Sequence, residues 1–491
     1  MKRKWSKLYR DTIGGAGQRE SVEALESRVV LAGVGAPFMP AAGAGDAFGA
    51  VSVGANVNIS RTTGHEAGGT IAIDPTNPAR VFAATETEGG SGSPSLLGAY
   101  SIDGGATWTT RLLASGLDDL PRGEHNPQAA FDPFGNLYVT YLETVSQRAV
   151  HVAVSTDGGQ TLAPLHSVVG PALDQPSIAV GGDSTAGASS VWVSYRNGSG
   201  SISATGARAT GLGAVGVFGA PQSVPGGVGN FGDVGVGPQG QLVVTWQTNT
   251  AGEGVAAIRV STDVDGLGPG NFSAPRTVAA TNVGGFDFLP AQPNRAIAAE
   301  ANLVYDLSPG GRRGWLYLAY TDESPDESND FDVYVRSSSD HGHTWSAPVR
   351  VNDDGTGRSQ FLPEIAVDQT TGRLAVGWYD ARDDTGVIGA GSLDGVPNND
   401  VAYWGALSTD GGATFQNFRV AAGASNAAAA AQSSDLGDNT GLAFHGGVIR
   451  PVWADNAPAL PDNGGRPRFD LATAAVVAGP QAGPRVVASD P

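Results

Sequence analysis

Six short segments pair an aromatic ring with a polar side chain two residues on: Tyr141 with Glu143, Tyr195 with Asn197, Trp246 with Thr248, Tyr320 with Asp322, Trp378 with Asp380 and Trp453 with Asp455. In an extended strand residues i and i+2 share a face, so each pair presents a ring and a hydrogen-bonding group together. Such rings can stack on the C–H faces of a sugar while carboxylates accept bonds from its hydroxyls. They can equally pack against a neighbouring layer of the fold. More carboxylates crowd the nearby segments: Glu86, Glu88, Glu124-His125, Asp174-Gln175, Asp287, Asp383, Asp384 and Asp438. If the chemistry is glycoside hydrolysis, an acid must protonate the leaving oxygen while a Tyr or carboxylate attacks the anomeric carbon. Glu124 or Asp174 are candidates for the acid, and Tyr379 or Asp380 for the nucleophile. Ligand contacts are expected from His125, Arg196, Asp287, Asp322, Asp380, Arg382, Asp438 and Asp455, although His125 equally suits a structural hydrogen bond. The oxygen-rich run around Asp322, Asp326 and Asp330 could hold Ca²⁺, but it lacks the ligand register of an EF-hand.

The elements that position these residues are announced by repetition. The text Ser101-Ile-Asp-Gly-Gly-Ala-Thr-Trp108 recurs at Ser155–Leu162, Ser338–Trp345 and Ser408–Phe415, with a stretched copy at Ser261-Thr-Asp263. Each copy lies between two alternating apolar runs, where a hairpin turn belongs. Its Asp can accept backbone N–H bonds from its own turn, and its glycines supply positive φ. Asp103, Asp157, Asp340 and Asp410, with Trp108 and Trp345, therefore read as structural. A second landmark, an apolar strand closing at an Asp or its equivalent, falls at residues 74, 132, 183, 237, 306, 368 and 445. Steps of 51 to 77 residues suit four short strands and their turns, which makes seven units. The third unit carries a decayed motif between Ser201 and Pro221. The seventh stops after three strands, and the orphan strand Val51–Ile59 is expected to supply its fourth and leave the ring without an open sheet edge.

The motif spacing S-x-D-x-G-x-T-W is that of the Asp-box, and over residues 50–478 the chain resembles the sialidase-like Asp-box β-propellers. The resemblance implies an all-β, seven-bladed propeller of four-stranded antiparallel blades, with Asp-boxes on the bottom face and ligands on the top. It also raises an exo-acting glycosidase of sialidase type. Members with that activity carry an Arg-Ile-Pro motif and three arginines that clamp the substrate carboxylate. No Arg-Ile-Pro occurs here, and the top-face arginines, Arg61, Arg122, Arg196, Arg295, Arg358 and Arg382, are spread about one per unit.

Composition narrows the partners. The chain has 491 residues, 72 of them Gly, no Cys and a formal charge of −19. All three lysines, Lys2, Lys4 and Lys7, sit with Arg3 and Arg10 in the first ten residues, so the remainder carries −24. That excludes a phosphate-backbone partner, a P-loop and any thiolate chemistry. Residues 1–49 read as a sorting segment: a basic start, then Leu25-Glu-Ser-Arg28, which resembles a short bacterial export tag, then a weak apolar stretch with Ala42-Gly-Ala44 as a cleavage site. A secreted or cell-surface monomer is expected, with residues 479–491 as a tail and no transmembrane span. Three functions stay open: binding of a glycan or protein at an acidic top face, glycoside hydrolysis, and assembly into a surface layer.

Overall fold

The computed structural model describes residues 49–88, 94–248, 251–387, 393–430, 434–463 and 467–479; the expected sorting segment and C-terminal tail lie outside them. Period-two apolar runs interrupted by Gly- and Asp-bearing turns form seven small antiparallel sheets arranged as the blades of a ring. Blade 1 shows the plan, with strands His65–Ile73, Val81–Glu88, Pro94–Ser101 and Thr109–Leu113 pairing in order. The inner strands of blades 2 to 7 are His125–Phe131, Asp174–Gly182, Val234–Val236, Asn302–Tyr305, Gln360–Val367 and Gly441–His445. Because pairing is sequential, the 1–2 and 3–4 turns share the bottom face, and the 2–3 loops and blade-to-blade connections share the top.

Large side chains on the second strands fill the spaces between blades, with Tyr138, Trp192, Trp246, Tyr317, Trp378 and Trp453 all at 2% exposure or less. The inner strands must instead converge on the axis, and glycine or alanine recurs along most of them. A Cβ on Gly181 would lie 2.3 Å from the Val236 carbonyl oxygen of blade 4, so only glycine allows that approach.

The ring is closed by the N-terminus. Val51–Val53 pairs with Val476–Ala478, and Val57–Asn58 pairs with Asp470–Thr473, completing blade 7. Asn58 Nδ2 donates to Asp470 at 2.7 Å, and Asn56 reaches sideways, Nδ2 to the Val420 carbonyl at 2.9 Å, to tie the strand to blade 6. Ile59, Ile71, Val81, Val452 and Leu471 bury the seam between blades 7 and 1.

The four motif turns share one bonding pattern. Each Ser Oγ donates to its Asp at 2.7–2.8 Å and accepts from the N–H of the Gly four residues on, while the two oxygens of the Asp accept from the backbone N–H and the hydroxyl of the Thr four residues beyond it. Trp108 and Trp345 return their indole N–H to the same Gly carbonyl, at 3.1 and 3.2 Å. These bonds to the ionised form hold Asp340 at about 2 despite its partial burial. Blade 3, where a decayed motif was expected, turns through Leu212-Gly213 between Ser201–Gly211 and Ala214–Val215, with Gly213 at φ 71. The landmark acids cap the bottom turns: Asp74 accepts from Thr76 N, Asp132 from Phe134 and Asn136 N, and Asp368 from Thr370 N.

Three outcomes test this account. Removing residues 51–60 should abolish a single cooperative thermal transition, whereas removing residues 1–45 should leave it. Asp410→Ala should cost about 1–2 kcal/mol in denaturant unfolding, since the lost bonds lie at a part-exposed turn. At the seam, burial and the charge of Asp470 raise Glu66 from 4.5 to about 7. Ionising it therefore costs the fold stability as pH rises from 4.5 through 7, and below 4.5 no such cost exists. Glu66→Gln should thus stabilise the protein at pH 8 relative to its effect at pH 4.5, by on the order of 3 kcal/mol in denaturant unfolding.

Candidate functional site

Near its top end, six of the seven inner strands place one residue in the left-handed region: Gly68, Asn126, Gln175, Phe231, Glu300 and Leu362, with φ between 44 and 66. Five are not glycine, a conformation that costs each of them on the order of 1 kcal/mol. The strand pairing slips there, as between His125 and Gln128 or Phe361 and Glu364. The residue two places on is polar in every blade: Thr70, Gln128, Ser177, Asp233, Asn302, Glu364 and, by the same count in blade 7, Thr440. All seven line a central channel with a cavity of about 790 Å³.

Most of this belt stitches blade to blade. Thr70 Oγ1 accepts from Ala129 N at 3.1 Å, Asp233 accepts from Ser177 Oγ and from Leu303 N at 2.8 Å, Asn302 Nδ2 donates to the Pro363 carbonyl at 2.5 Å, and Thr440 Oγ1 to the Leu362 carbonyl at 3.3 Å. The side chains of Gln128, Glu300 and Glu364 make no such bond, and each lines the cavity. Glu300 and Glu364 keep a small accessible area, yet protein surrounds them closely enough that burial dominates their titration. Burial, with Asp233 and Glu300 nearby, raises Glu364 well above the usual carboxylate range. Glu300 is raised likewise by burial and by Asp438, with Arg295 pulling the other way. Asp233 is raised by burial against the bonds that favour its charge. The channel thus holds three carboxyls raised first by burial, and Asp233 and Glu300 also oppose the ionisation of Glu364.

A strap of residues 282–301, between blades 4 and 5, crosses the top to the connection between blades 6 and 7. Asn294 and Arg295 backbone N–H groups bond Asp435 at 2.7 and 3.0 Å, Gln292 bonds Leu436 N at 3.0 Å, and the Arg295 guanidinium meets Asp438 through two nitrogens. Burial works against the Arg295 charge, but Asp438 outweighs it. The strap leaves the rings of Phe286 and Phe288 half exposed. Phe286 stands edge-on to Phe231 at 6.4 Å and 88°, and Phe231 lines the channel, so the mouth has an aromatic rim.

The residues singled out from sequence are dispersed. His125 comes to the mouth, its Nδ1 3.1 Å from Glu86, which holds its pKa up against burial. Asp438 is there too, paired with Arg295. Glu124 is buried and caps Thr144 N at 2.8 Å, and Asp174 sits 3.8 Å from Arg148. Tyr379 is buried between blades, its hydroxyl donating to the Ala454 carbonyl at 3.0 Å. Asp380 and Asp455 are buried and accept the indole N–H of Trp378 and Trp453 at 2.7 and 3.0 Å. The aromatic–acid spacing in these two blades is thus an internal bond rather than an open platform. Arg382 completes the Asp380 knot and stacks on Trp404 at 4.1 Å. Asp287 is buried on the strap and raised to about 7, first by burial and then by Glu323, Glu327 and Glu253. Asp322 accepts from Asn282 N at 2.9 Å, and among the described residues Asp322, Asp326 and Asp330 do not form a three-ligand metal cluster.

The arginines do not converge either. Arg61 faces Asp462, Arg122 faces Glu124, Arg358 bonds Asn398, and Arg196 stays at its own loop. Arg295 comes to the mouth through its pairing with Asp438, which lines the channel, while Arg313 lines the channel at its bottom. The channel carboxyls and the strap were missed in the sequence, yet a signal existed: Thr70, Gln128, Asp233, Asn302 and Glu364 each lie four residues ahead of the landmark position.

No protein-family model matches the chain, and no curated protein matches it. Solved structures do resemble it in fold. A protein of unknown function from Dyadobacter fermentans shows 14% identity over 87% of this chain and 99% of its own, with a TM-score of 0.45. The endosialidase of phage phi92 shows 11% over 89% and 70%, at 0.46. An ulvan lyase bound to its saccharide shows 12% over 86% and 96%, at 0.44. These values carry no argument about activity; the seven-bladed ring rests on its own strand pairing.

Proposed function

We propose that this chain is an exported or cell-surface propeller that binds a neutral glycan at the top mouth of its central channel. The reading is carried by one observation: half-exposed phenylalanine rings border a concave, polar channel where, among the described residues, the side chains of Gln128 and Glu300 bond no other blade and Glu364 is met only by the Ile365 N–H. Rings suit the C–H faces of a sugar, and amide and carboxyl groups so placed suit its hydroxyls. The cavity is within the size range of small-ligand sites, and its concavity favours a glycan chain over a folded protein surface. At the mouth an anionic sugar such as a sialic acid meets a guanidinium already committed, Arg295 to Asp438, while Arg313 lies at the opposite end of the channel. Structural neighbours that act on glycans fit the reading without adding weight to it.

A glycan array probed with the wild-type protein, with and without chelator, tests this. Binding to neutral glycans is expected, with Phe231→Ala and Phe286→Ala each weakening it about tenfold, a loss of roughly 1.4 kcal/mol. Asp380→Asn, far from the channel wall, should bind as wild type if it folds. Binding that is absent, or indifferent to both ring substitutions, would overturn the proposal. Binding lost only on chelation would point to calcium at the Asp322–Asp330 loop instead.

A further inference from the structure

Of the aromatic–acid pairs read from the sequence, Tyr141–Glu143 in blade 2 meets neither an indole nor the channel. It meets a histidine. Leu137–Glu143, Ala149–Ser155 and the outermost strand Ala163–Val169 lie side by side, and their register sets Tyr141, His151 and Ser167 in one cross-strand row. His151 Nε2 stands 3.0 Å from Glu143 Oε2, and His151 Nδ1 stands 2.8 Å from Ser167 Oγ. Burial pushes the Glu143 carboxyl up, but donors at Ser146, His151 and Gln147 outweigh it and hold it below its usual range. As an ionised acceptor Glu143 takes the N–H at Nε2, which leaves the lone pair of Nδ1 for the Ser167 hydroxyl. Ser167 is therefore the donor.

The row also separates a shielded base from an open nucleophile. His151 and Glu143 are each 2% exposed, and the Tyr141 ring lies 5.4 Å from the imidazole while its hydroxyl holds the Pro121 carbonyl at 3.0 Å. Ser167 faces solvent. Gly170 N–H bonds the Arg148 carbonyl at 3.1 Å, so by the unbroken register beyond it Val168–Val150 is the next bonded pair and Ser167–His151 is a non-bonded one. Side chains stand closest in such a pair, and the Ser167 N–H points away from the ladder to the open edge. A backbone N–H beside a nucleophilic hydroxyl is what a developing oxyanion needs. Val169, two residues on and on the same face, is 62% exposed and offers a short apolar contact, which suits an acetyl-sized group better than a long chain.

We infer that Ser167, His151 and Glu143 form a nucleophilic triad on the flank of blade 2, separate from the channel, that hydrolyses small carboxylic esters. Ser167 Oγ bonds to the ester carbonyl carbon as its proton passes to His151 Nδ1, and the carbonyl oxygen takes the negative charge beside the Ser167 N–H. The bond from that carbon to the alcohol oxygen then breaks, and the alcohol leaves with the proton from Nδ1. Water repeats the sequence: its oxygen bonds to the acyl carbon, its proton passes to Nδ1 and on to Ser167 Oγ as the acyl–serine bond breaks. The products are a carboxylic acid and an alcohol, with the serine restored. Glu143 is a positioning residue, fixing the tautomer and stabilising the imidazolium.

The experiment treats the full chain with a biotinylated fluorophosphonate, maps the adduct by peptide mass spectrometry, and follows hydrolysis of 4-methylumbelliferyl acetate. One adduct on Ser167 and measurable turnover are expected. Ser167→Ala should remove both, and His151→Gln should lower kcat about 10²–10⁴-fold. Glu143→Gln should lower kcat with KM unchanged and slow labelling of Ser167 in proportion, a readout that a purely structural acid would not move. No adduct, an adduct on another residue, or unchanged kcat in Ser167→Ala would overturn the triad. Because Ser167 is exposed, its alanine variant decides the matter without disturbing the buried pair. Glycan binding at the channel is scored by the array alone, so either reading can fail without the other.

Discussion

Closure of the ring by residues outside its last repeat is the constraint on which the rest depends. A seven-sheet ring built only from consecutive hairpins would leave the third strand of blade 7, residues 470–478, as an open edge with unpaired N–H and C=O groups. Val51–Val53 and Val57–Asn58 cover that edge, and Asn56 and Asn58 bond sideways to blade 6 and down to Asp470. Because the closing strand comes from the opposite end of the chain, opening the ring means separating segments more than 400 residues apart. That seam is also where the molecule tolerates Glu66 and His65 in burial, both shifted toward their neutral forms by loss of water.

Once the ring is closed, the axis becomes the crowded part of the fold. Glycines such as Gly181 let the seven inner strands approach one another, and polar side chains line the channel they enclose beside apolar ones such as Phe131 and Phe444. The left-handed residues at the top of the inner strands turn this crowding into a belt. Where a belt side chain reaches the next blade, as Thr70, Asp233 and Asn302 do, it acts as structure. Where it does not, as with Gln128 and Glu364, the same position becomes available to a ligand. One repeated backbone feature thus accounts for both the stability of the channel wall and the chemistry inside it.

This explains how unevenly the sequence could be read. The seven units, the bonding of the four motif turns and the N-terminal strand were legible, because each rests on local spacing or on a count of strands. The site was not, for three physical reasons. A bulge breaks the period-two rule that assigns a side chain to a face, so Glu364 could not be placed on the channel wall by parity. The strap meets its partners across the ring, Arg295 to Asp438 over 143 positions, which no local pattern encodes. And the Trp-x-Asp pairs in blades 6 and 7 carry a bond within the pair, Trp378 to Asp380 and Trp453 to Asp455, so an arrangement suited to sugar stacking serves packing between blades.

Charge acts at short range here. Outside its first ten residues the chain carries −24, which invites the view that the whole surface repels anions. At physiological ionic strength, however, the screening length is about 8 Å, so exposed carboxylates on distant blades contribute little inside the channel. The field inside the channel is therefore local, set by Asp233, Glu300 and Glu364 in the wall and by Asp438 paired with Arg295 at the mouth. Burial raises the proton affinity of Glu300 and Glu364, with Asp438 adding to the first and Asp233 and Glu300 to the second. Field and protonation in the channel therefore follow from one cause, the enclosure of a few carboxyls by the inner strands, and the acidic surface is incidental to both.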